Sequence, residues 1–373
     1  MKKMKIAILG TRGIPNNYGG YEQYAEYIGA ELVLKGHDVL VYRSSEHPSK
    51  SDTVNGVSCK SIFCPEKTFG SFGHLLYDFL CTRDAVRMNY DIILHCGYQS
   101  ASPSIFFYRN YSKGRIVCNM DGLEWKRDKW SKWIKIATKL SEKLAVKSCD
   151  YLISDNEGIK DYYELTFKKK TKFIAYGANV KTTVDPLSLK DYDVVPDEYF
   201  ILVARLEPEN NITTILDGYC SAKSSNPFLV VGNFKTKYGT DLKKKYESIP
   251  GIKFLGGIYN QKKLDALRKY SCIYFHGHSV GGTNPSLLEA MSLGSFIAYH
   301  DNEFNSSVIQ GNGLKFKNAN EVKNIINSDF GDKKLKENYR ENCLQIISKS
   351  YNWKHISEEH ERYFLSILDK KIN

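Results

Sequence analysis

The chain has 373 residues, 53 of them Lys or Arg and 42 Asp or Glu, which gives a formal net charge of +11. This length predicts two domains, each large enough to bury its own core. A hydrophobic content of 42% with 25% charged residues excludes disordered, collagenous and coiled-coil chains. The apolar runs are too short for a membrane-spanning helix or a signal peptide.

The nine cysteines form no C-x-x-C pair, so we predict reduced core cysteines of a cytosolic protein and no zinc site. The surplus positive charge predicts an anionic partner: nucleic acid, a membrane surface or a phosphorylated substrate.

Short β-branched runs alternate with amphipathic stretches along the whole chain, which is the pattern of βαβ units on a parallel sheet. The first predicted strands are Lys5–Leu9, Asp38–Tyr42, Asp91–His95, Arg115–Asn119, Tyr151–Ser154 and Lys172–Ala175, with helices at Tyr21–Lys35, Gly73–Asn89 and Ser131–Ser148. After a polar linker, Lys181–Glu198, further strands are predicted at Tyr199–Ala204, Phe228–Val231, Lys253–Leu255, Ile273–His276 and Phe296–Ala298, and a last helix at Asn352–Leu368. The fold class is therefore α/β, with two doubly wound domains whose binding sites lie at the carboxyl ends of the strands.

The first strand runs into a glycine-rich turn, and a helical pattern follows it. The residues with which this turn would meet an acceptor or a phosphate are Arg12, Gly13, Tyr18, Gly19 and Gly20. The spacing is not the dinucleotide G-x-G-x-x-G, and Arg43 ends the second strand where an NAD enzyme carries an acid. An NADP-dependent oxidoreductase tolerates an arginine there and stays open as an alternative.

A second glycine site follows the strand that ends at His276. Asn284 and Pro285 are a favourable N-cap and first residue for the next helix, so the helix N–H groups would face an anion. Glu289 lies on that helix, where its carboxylate can accept hydrogen bonds from a ribose diol. The alternative is a solvated Glu289.

These motifs resemble those of retaining GT-B glycosyltransferases of family 4, and most closely a bacterial rhamnosyltransferase-like branch with a DUF1972-type N-terminal domain. The matching segments are Gly10–Glu22, Asn119–Trp130, Val203–Asn211 and His276–Met291. The resemblance implies two Rossmann-like domains facing a cleft. On that basis we predict an acceptor-side domain at 1–182, a nucleotide-sugar-binding domain at 183–350, and a C-terminal helix at 351–373 that crosses back to the first domain.

The resemblance also implies roles for individual residues. Arg205 would face the donor diphosphate, and Glu289 would bind the ribose. The donor-binding set is Arg205, Gly232, Asn233, His276, His278, Gly281, Gly282, Thr283, Asn284 and Glu289. The chain departs from the family pattern twice, since Gly281 replaces the first glutamate of the E-x7-E motif and Asn210 replaces a lysine.

The proposed catalytic residues are Asp121, Arg205 and Glu289. Asp121 follows the strand Arg115–Asn119 and would orient an acceptor hydroxyl or stabilise positive charge on the donor sugar, with Glu124 in reserve. A helix-capping role for Asp121 is the alternative. In the retaining mechanism that the resemblance implies, the leaving phosphate takes the acceptor proton, so positioning and electrostatics dominate. Asp191 and Asp193 have the D-x-D form of metal-dependent transferases but lie in the linker, so we predict solvated side chains and no metal site.

The positive charge is concentrated in residues 125–147, which hold eight basic and two acidic residues, a net +6, and three of the four tryptophans. A basic helix with interfacial tryptophans is typical of docking on an anionic membrane. A solvated helix with core tryptophans is the alternative. No nucleic-acid motif accompanies the segment, so nucleic acid is not a predicted partner.

The predicted activity is transfer of a hexosyl or 6-deoxyhexosyl group, L-rhamnose from dTDP-rhamnose, onto a lipid-linked oligosaccharide in bacterial surface polysaccharide and capsule synthesis. No cofactor or metal is predicted, and the nucleotide sugar is a substrate. The predicted location is cytoplasmic, with peripheral contact to the inner face of the cell membrane left open. Besides the NADP-dependent oxidoreductase, a non-catalytic membrane-associated scaffold of the same fold remains an alternative.

Overall fold

The computed structural model describes residues 2–70, 72–120, 122–127, 130–328 and 333–369. The chain divides into two compact units. Unit 1 comprises Met1–Lys126, Trp130–Tyr176 and Trp353–Asn373, and unit 2 comprises Arg127–Lys129 and Gly177–Asn352. The chain therefore leaves unit 1 after Tyr176 and returns to it at Trp353.

Unit 1 is built on an eight-stranded sheet in the order β3-β4-β2-β1-β5-β6-β7-β8, in which every neighbouring pair is parallel except β3 with β4. Its strands are β1 (Lys5–Leu9), β2 (Asp38–Ser44), β3 (Thr53–Val54), β4 (Val57–Ile62), β5 (Ile92–Cys96), β6 (Arg115–Asn119), β7 (Tyr151–Ser154) and β8 (Lys172–Phe173). Its connecting helices are α1 (Gly20–Leu34), α2 (Glu66–Phe69), α3 (Phe72–Arg87), α4 (Ser102–Tyr108), α5 (Lys132–Ser148) and α6 (Glu157–Phe167). The direction of winding reverses between β1 and β5, which makes their carboxyl ends the expected binding edge.

Unit 2 is built on a six-stranded, all-parallel sheet in the order β11-β10-β9-β12-β13-β14. Its strands are β9 (Phe200–Val203), β10 (Phe228–Val231), β11 (Ile252–Gly256), β12 (Ile273–His276), β13 (Ile297–His300) and β14 (Leu314–Phe316). Its helices are α7 (Ile212–Cys220), α8 (Lys237–Tyr246), α9 (Gln261–Lys269), α10 (Pro285–Ser292), α11 (Glu303–Ile309), α12 (Ala319–Asn327) and α13 (Lys333–Ile346). Here the winding reverses between β9 and β12.

The last helix, α14 (Trp353–Leu368), packs on α1 of unit 1. The Trp353 and Tyr27 rings stack with centroids 4.9 Å apart, and the ring of His360 lies 5.4 Å from that of Tyr24. Glu361 accepts hydrogen bonds from Lys35 at 2.9 Å and from His37 at 3.0 Å. These contacts make α14 part of the unit 1 core.

The α/β prediction of two doubly wound parallel sheets is confirmed, and three strands were not predicted. β1, β6, β7, β10 and β12 have the predicted bounds. β3 and β14 were missed because they are short strands at the border of a sheet, and β4 was missed because it carries several polar residues. The cysteines are free and buried as predicted, with the exception of the exposed Cys220. No helix in the described part of the chain is long and apolar enough to span a membrane.

Candidate active site

The carboxyl ends of β9 and β12 hold most of the donor-binding residues predicted for unit 2. Three loops converge there: the one after β9 with Arg205, the one after β10 with Gly232 and Asn233, and the one after β12. A Cβ on Gly232 would lie 2.1 Å from the carbonyl oxygen of Ala204, so only glycine allows the first two loops to approach this closely.

The loop after β12 delivers the start of α10 to the same edge. Gly281 has φ +115°, a backbone conformation that favours glycine, and Thr283 is buried. Asn284 is the N-cap as predicted, and its Oδ1 accepts a hydrogen bond from the Ser286 amide at 2.9 Å. The positive end of the α10 dipole lies at this edge, and a helix dipole favours an anion there.

Glu289 lies on α10 and forms an ion pair that the sequence did not predict. Its Oε2 lies 2.7 Å from Nη2 of Arg268 on α9. The Arg268 side chain is 2% exposed and that of Glu289 17%. The same Nη2 donates to Ser286 Oγ at 3.1 Å, and that hydroxyl also contacts the Tyr274 hydroxyl at 2.8 Å. Arg268 therefore fixes the carboxylate proposed to bind the ribose.

Asn210, at the position of the family's lysine, has a structural role in this chain. Its Nδ2 donates to the carbonyl oxygen of Arg205 at 2.7 Å, and its Oδ1 lies 2.8 Å from Nδ1 of His278. Because Oδ1 can only accept, His278 is the donor. The Asn210 amide thus links the loop after β9 to the loop after β12, and a lysine, which has no acceptor, could not accept the hydrogen bond from His278.

The two site histidines are neutral at physiological pH. Burial lowers the pKa of His276 to about 3, and the nearby Arg268 acts in the same direction. Burial also lowers the pKa of His278 well below its usual value, helped by the charges of Arg127 and Arg205. The positive charge available to a diphosphate therefore comes from arginine, and the Arg205 side chain is exposed.

A buried carboxylate that sequence reasoning missed, Glu209, lies beside this set. It is 3% exposed, and its backbone carbonyl accepts from the amide and the hydroxyl of Ser279 at 2.9 Å each. Arg127, which groups with unit 2, has Nη1 3.6 Å from Glu209 Oε1. The sequence gives no local signal that Glu209 is buried, because a second glutamate, Glu207, lies two residues away in the same polar segment.

In unit 1, the loop after β1 is held by ion pairing. Arg12 donates to Glu66 from Nε at 3.0 Å and from Nη2 at 2.5 Å, and its guanidinium lies 3.6 Å from the centroid of the Tyr18 ring. The Arg12 amide donates to Glu22 Oε1 at 2.7 Å. The hydrogen bonds from Arg12 lower the pKa of Glu66 to about 2. The positive charge of Arg12, which was predicted to meet a phosphate, is therefore already balanced by the Glu66 carboxylate.

The other residues predicted for the first loop and for catalysis lie in the loop, at the start of α1 and in a 3-10 turn. Gly13 lies within the loop, Gly19 is the N-cap of α1 and Gly20 its first residue. Tyr18 is 64% exposed and Glu124 is half-buried in a single 3-10 turn. Asp121 lies outside the described residues.

The D-x-D residues of the linker are solvated, as predicted. Asp191 and Asp193 form ion pairs with Lys263 and Lys253, at 2.6 and 3.6 Å. In the described part of the chain, folding also brings Cys64, Glu66 and His74 together, with one ligand-type atom from each within 4.8 Å. This grouping was not predicted, and there Glu66 is the partner of Arg12.

Two buried polar side chains at the carboxyl ends of β5 and β6 were also missed. Both ring nitrogens of His95 and the Oδ1 of Asn119 have no hydrogen-bond partner among the described residues. Burial lowers the pKa of His95 to about 3, so the ring is neutral. In the sequence, His95 is one polar residue within an apolar strand, which is equally typical of a core position.

Arg43, the residue because of which an NADP-dependent oxidoreductase remained an alternative, points into unit 1. It is 2% exposed, and its guanidinium donates to the Ser51 carbonyl at 2.8 Å and to Ser61 Oγ at 3.1 Å. Its charge is used inside the domain, which removes the argument for a 2′-phosphate site.

Two family models match the chain. Residues 3–179 match DUF1972, a domain of unknown function, and residues 192–345 match glycosyl transferases group 1. An uncharacterized glycosyltransferase of Methanocaldococcus jannaschii is 27% identical over 248 residues, which are 61% of this chain and 61% of that protein. The match thus spans less than two thirds of that relative.

Solved structures share the fold over nearly the whole chain. Sucrose-phosphate synthase from Thermosynechococcus elongatus aligns with a TM-score of 0.83 and 16% identity, over 98% of this chain and 99% of that one. HepE of Anabaena, in complex with UDP and glucose, aligns with a TM-score of 0.75 and 18% identity, over 97% and 100%. A glycosyltransferase from Rickettsia africae aligns with a TM-score of 0.75 and 15% identity, over 100% of both chains.

Residues 192–345 are thus similar to group 1 glycosyl transferases, and the chain has the GT-B fold. The DUF1972 match falls on unit 1 and the group 1 match on unit 2, where Arg205, Asn210 and Glu289 lie. The GT-B fold is therefore confirmed, the match over 192–345 supports the resemblance to glycosyltransferases, and the rhamnosyltransferase branch stays a prediction.

Proposed function

We propose that this GT-B chain is a retaining, nucleotide-sugar-dependent glycosyltransferase. The observation that carries the proposal is the carboxyl edge of β9 and β12, where Arg205, the start of α10 and the Arg268–Glu289 pair lie together. An arginine and the positive end of a helix dipole suit a diphosphate, and a fixed carboxylate suits a sugar hydroxyl. The group 1 match over 192–345 covers this edge and supports the same assignment.

The proposed donor is dTDP-rhamnose, and the transferred group is a hexose or 6-deoxyhexose. Support comes from the likeness of Gly10–Glu22 and His276–Met291 to the rhamnosyltransferase-like branch. The residues at the edge do not distinguish dTDP from UDP or GDP, so the nucleotide is decided by the experiment below.

The proposed chemistry depends on electrostatics and positioning. As the bond from the sugar to the diphosphate breaks, negative charge grows on the leaving phosphate, and Arg205 with the positive end of the α10 dipole would stabilise it. The acceptor oxygen bonds to the anomeric carbon on the face from which the phosphate leaves, and the acceptor's proton passes to that phosphate, so no separate base is required. His276 and His278 are neutral and would contribute hydrogen bonds to the sugar, without charge. Asp121 and Glu124 remain proposed acceptor-side residues.

The proposed acceptor is a lipid-linked oligosaccharide of bacterial surface polysaccharide synthesis, used by a cytoplasmic enzyme. The support is again the motif resemblance, together with the cluster of basic and aromatic residues at 125–147.

Thermal shift with dTDP, UDP, GDP and NADP tests the proposal. We expect one or more of the nucleoside diphosphates to raise the melting temperature and NADP to leave it unchanged. Stabilisation by NADP alone would indicate an oxidoreductase, and a flat response to all four would indicate a non-catalytic scaffold.

The variant Arg205→Ala locates the site, and because this side chain is exposed the substitution leaves the core intact. We expect it to abolish most of the nucleotide-induced shift and to lower transfer at least roughly tenfold, the usual loss of a charge-assisted hydrogen bond to a phosphate. Lys244→Ala, which removes an exposed charge on α8, is the control and should behave like the wild type. Equal nucleotide binding by both variants would place the donor elsewhere.

A further inference from the structure

We propose that one face of unit 1, formed by α3, α4 and α5, docks on a membrane surface that contains anionic lipid. We call it the aromatic–basic face. Its exposed apolar residues are Phe72, Leu75, Leu76, Phe106, Phe107, Tyr111, Trp133, Ile134, Ile136 and Leu140, and its bases are Lys132, Lys135, Lys139, Lys143 and Lys147. The inference concerns where the chain sits and does not depend on the transfer reaction proposed above.

Helix α5 carries an apolar stripe on its solvent side. Trp133 is 81% exposed, Ile136 53% and Leu140 59%. These residues recur at helical spacing, so they share one side of the helix, which is opposite to the usual arrangement of a surface helix. The acid of this helix, Glu142, faces inward and accepts hydrogen bonds from Trp125, Tyr162 and Tyr163. The outward side therefore presents apolar groups and lysines.

The tryptophans of this segment differ in exposure. Trp125 is half-buried: its Nε1 donates to Glu142 and its ring lies 6.2 Å from that of Tyr162. Trp130 is half-buried. Of the three, Trp133 projects into solvent.

Aromatic groups on the neighbouring helices extend the surface beyond α5. On α4, Phe106 is 46% and Phe107 55% exposed, and at the start of α3 Phe72 is 78% exposed. The ring of Phe107 lies 5.7 Å from that of Phe79 on α3. At the other border of α4, Arg109 donates to the Lys147 carbonyl of α5 at 3.3 Å. The three helices are packed side by side, so their exposed residues form one face.

Part of the apolar set lies at the carboxyl edge of the sheet, whereas Phe106 and Phe107, at the end of α4, lie toward the opposite edge. A helix that follows a parallel strand starts at that edge, and Phe72, Trp133 and Ile136 lie in the first turns of α3 and α5. The loop after β1 leaves the sheet at this same edge. A membrane on the aromatic–basic face would thus lie beside the acceptor-side loops of unit 1.

The combination of exposed apolar and basic residues on this face favours a lipid surface as its partner. Contiguous exposed apolar patches of several helices are uncommon on monomeric proteins and mark interaction sites. Aliphatic groups such as Ile136 and Leu140 gain from entering the acyl boundary, and lysines beside them gain from anionic headgroups. A nucleic acid would use the lysines but would leave the exposed leucine and isoleucine without a role.

Flotation of the full chain with phosphatidylcholine vesicles, with and without phosphatidylglycerol, tests the proposal. We expect binding to the anionic vesicles that weakens with salt. The variant Lys132→Glu/Lys143→Glu should lower the partition coefficient at least roughly 20-fold, given about 1 kcal/mol per lysine at an anionic surface. Lys168→Glu/Lys170→Glu makes the same charge change elsewhere on unit 1 and should bind like the wild type.

The apolar part is tested separately with Trp133→Ser/Leu140→Ser and Phe106→Ser/Phe107→Ser. Each pair should reduce vesicle binding roughly tenfold or more, while Leu34→Ser, at an 81% exposed site on α1, should not. Equal binding by the two charge-reversal variants would overturn the proposal. The proposal would also be overturned if the chain bound single-stranded RNA but did not bind vesicles, because the face would then be a nucleic-acid site.

Discussion

Arg268 and Glu289 are an ion pair with unequal burial, and this inequality has energetic consequences. Arg268 is buried within α9, whereas Glu289 keeps partial contact with solvent. A charge left unpaired in the interior keeps its full desolvation cost, but a partly exposed one can be rehydrated. The two partners are therefore not equivalent as sites of mutation.

Glu289→Gln should destabilise the fold more than Arg268→Gln. The first leaves a buried guanidinium without its carboxylate and should cost about 3–5 kcal/mol of the free energy of unfolding. The second leaves a carboxylate that can turn to water and should cost about 1–2 kcal/mol. Urea unfolding of both single variants and of the double variant measures the difference. The free energy of unfolding of the double variant should be higher than that of Glu289→Gln. If Arg268→Gln were the less stable of the two single variants, the burial argument would be contradicted.

At the scale of elements, the loop after β1 is held by residues from two helices, Glu22 of α1 and Glu66 of α2. The Glu66 carboxylate pairs with Arg12 across 54 residues of sequence. The pKa of Glu66 lies below its usual value in the folded chain, so this carboxylate favours folding wherever the unfolded chain is also ionised. Its contribution is complete above the ordinary glutamate pKa and is lost as the pH falls toward about 2.

Glu66→Gln should therefore destabilise the chain at neutral pH and lose its effect in acid. We expect about 1 kcal/mol or less near pH 7, the range for a partly exposed ion pair. The gap between the unfolding free energies of wild type and variant should close steadily below pH of about 4.5. Urea titrations at several pH values measure it. A gap that stays constant into strong acid would mean that the ion pair does not hold the loop.

Local patterns predicted the elements better than they predicted the contacts between them. β1, β6 and β10 are apolar, β-branched runs whose bounds follow from composition, whereas β4 alternates with Ser and Lys and gives no such signal. The helix start at Asn284 was predictable because capping is local. Arg268 and Glu66 were not, because an ion pair between distant segments has no local signature.

At the scale of the whole molecule, unit 1 is discontinuous in sequence. Its last helix, α14, buries Trp353, Phe364 and Ile367 and comes after the whole of unit 2. Full burial of an aromatic or branched side chain contributes about 1.5–3 kcal/mol. Three such residues therefore contribute as much as the net stability of many domains, about 5–15 kcal/mol.

A chain shortened after Tyr351 should retain unit 2 and lose the folded state of unit 1. Limited proteolysis with mass mapping should then degrade residues 2–176 quickly and protect residues 177–351, whereas the full chain should protect both. Resistance of residues 2–176 in the shortened chain would show that the contacts of α14 with α1 are dispensable.

The return of the chain to unit 1 also fixes the order in which the molecule can be completed during translation. Residues 177–352, 176 in number, leave the ribosome before α14 does. At about 5–20 residues per second, that takes roughly 9–35 s. Throughout this interval the side of α1 that α14 will cover, with Tyr24 and Tyr27, faces solvent. Nascent unit 1 thus keeps an exposed aromatic surface until the second sheet has been synthesised.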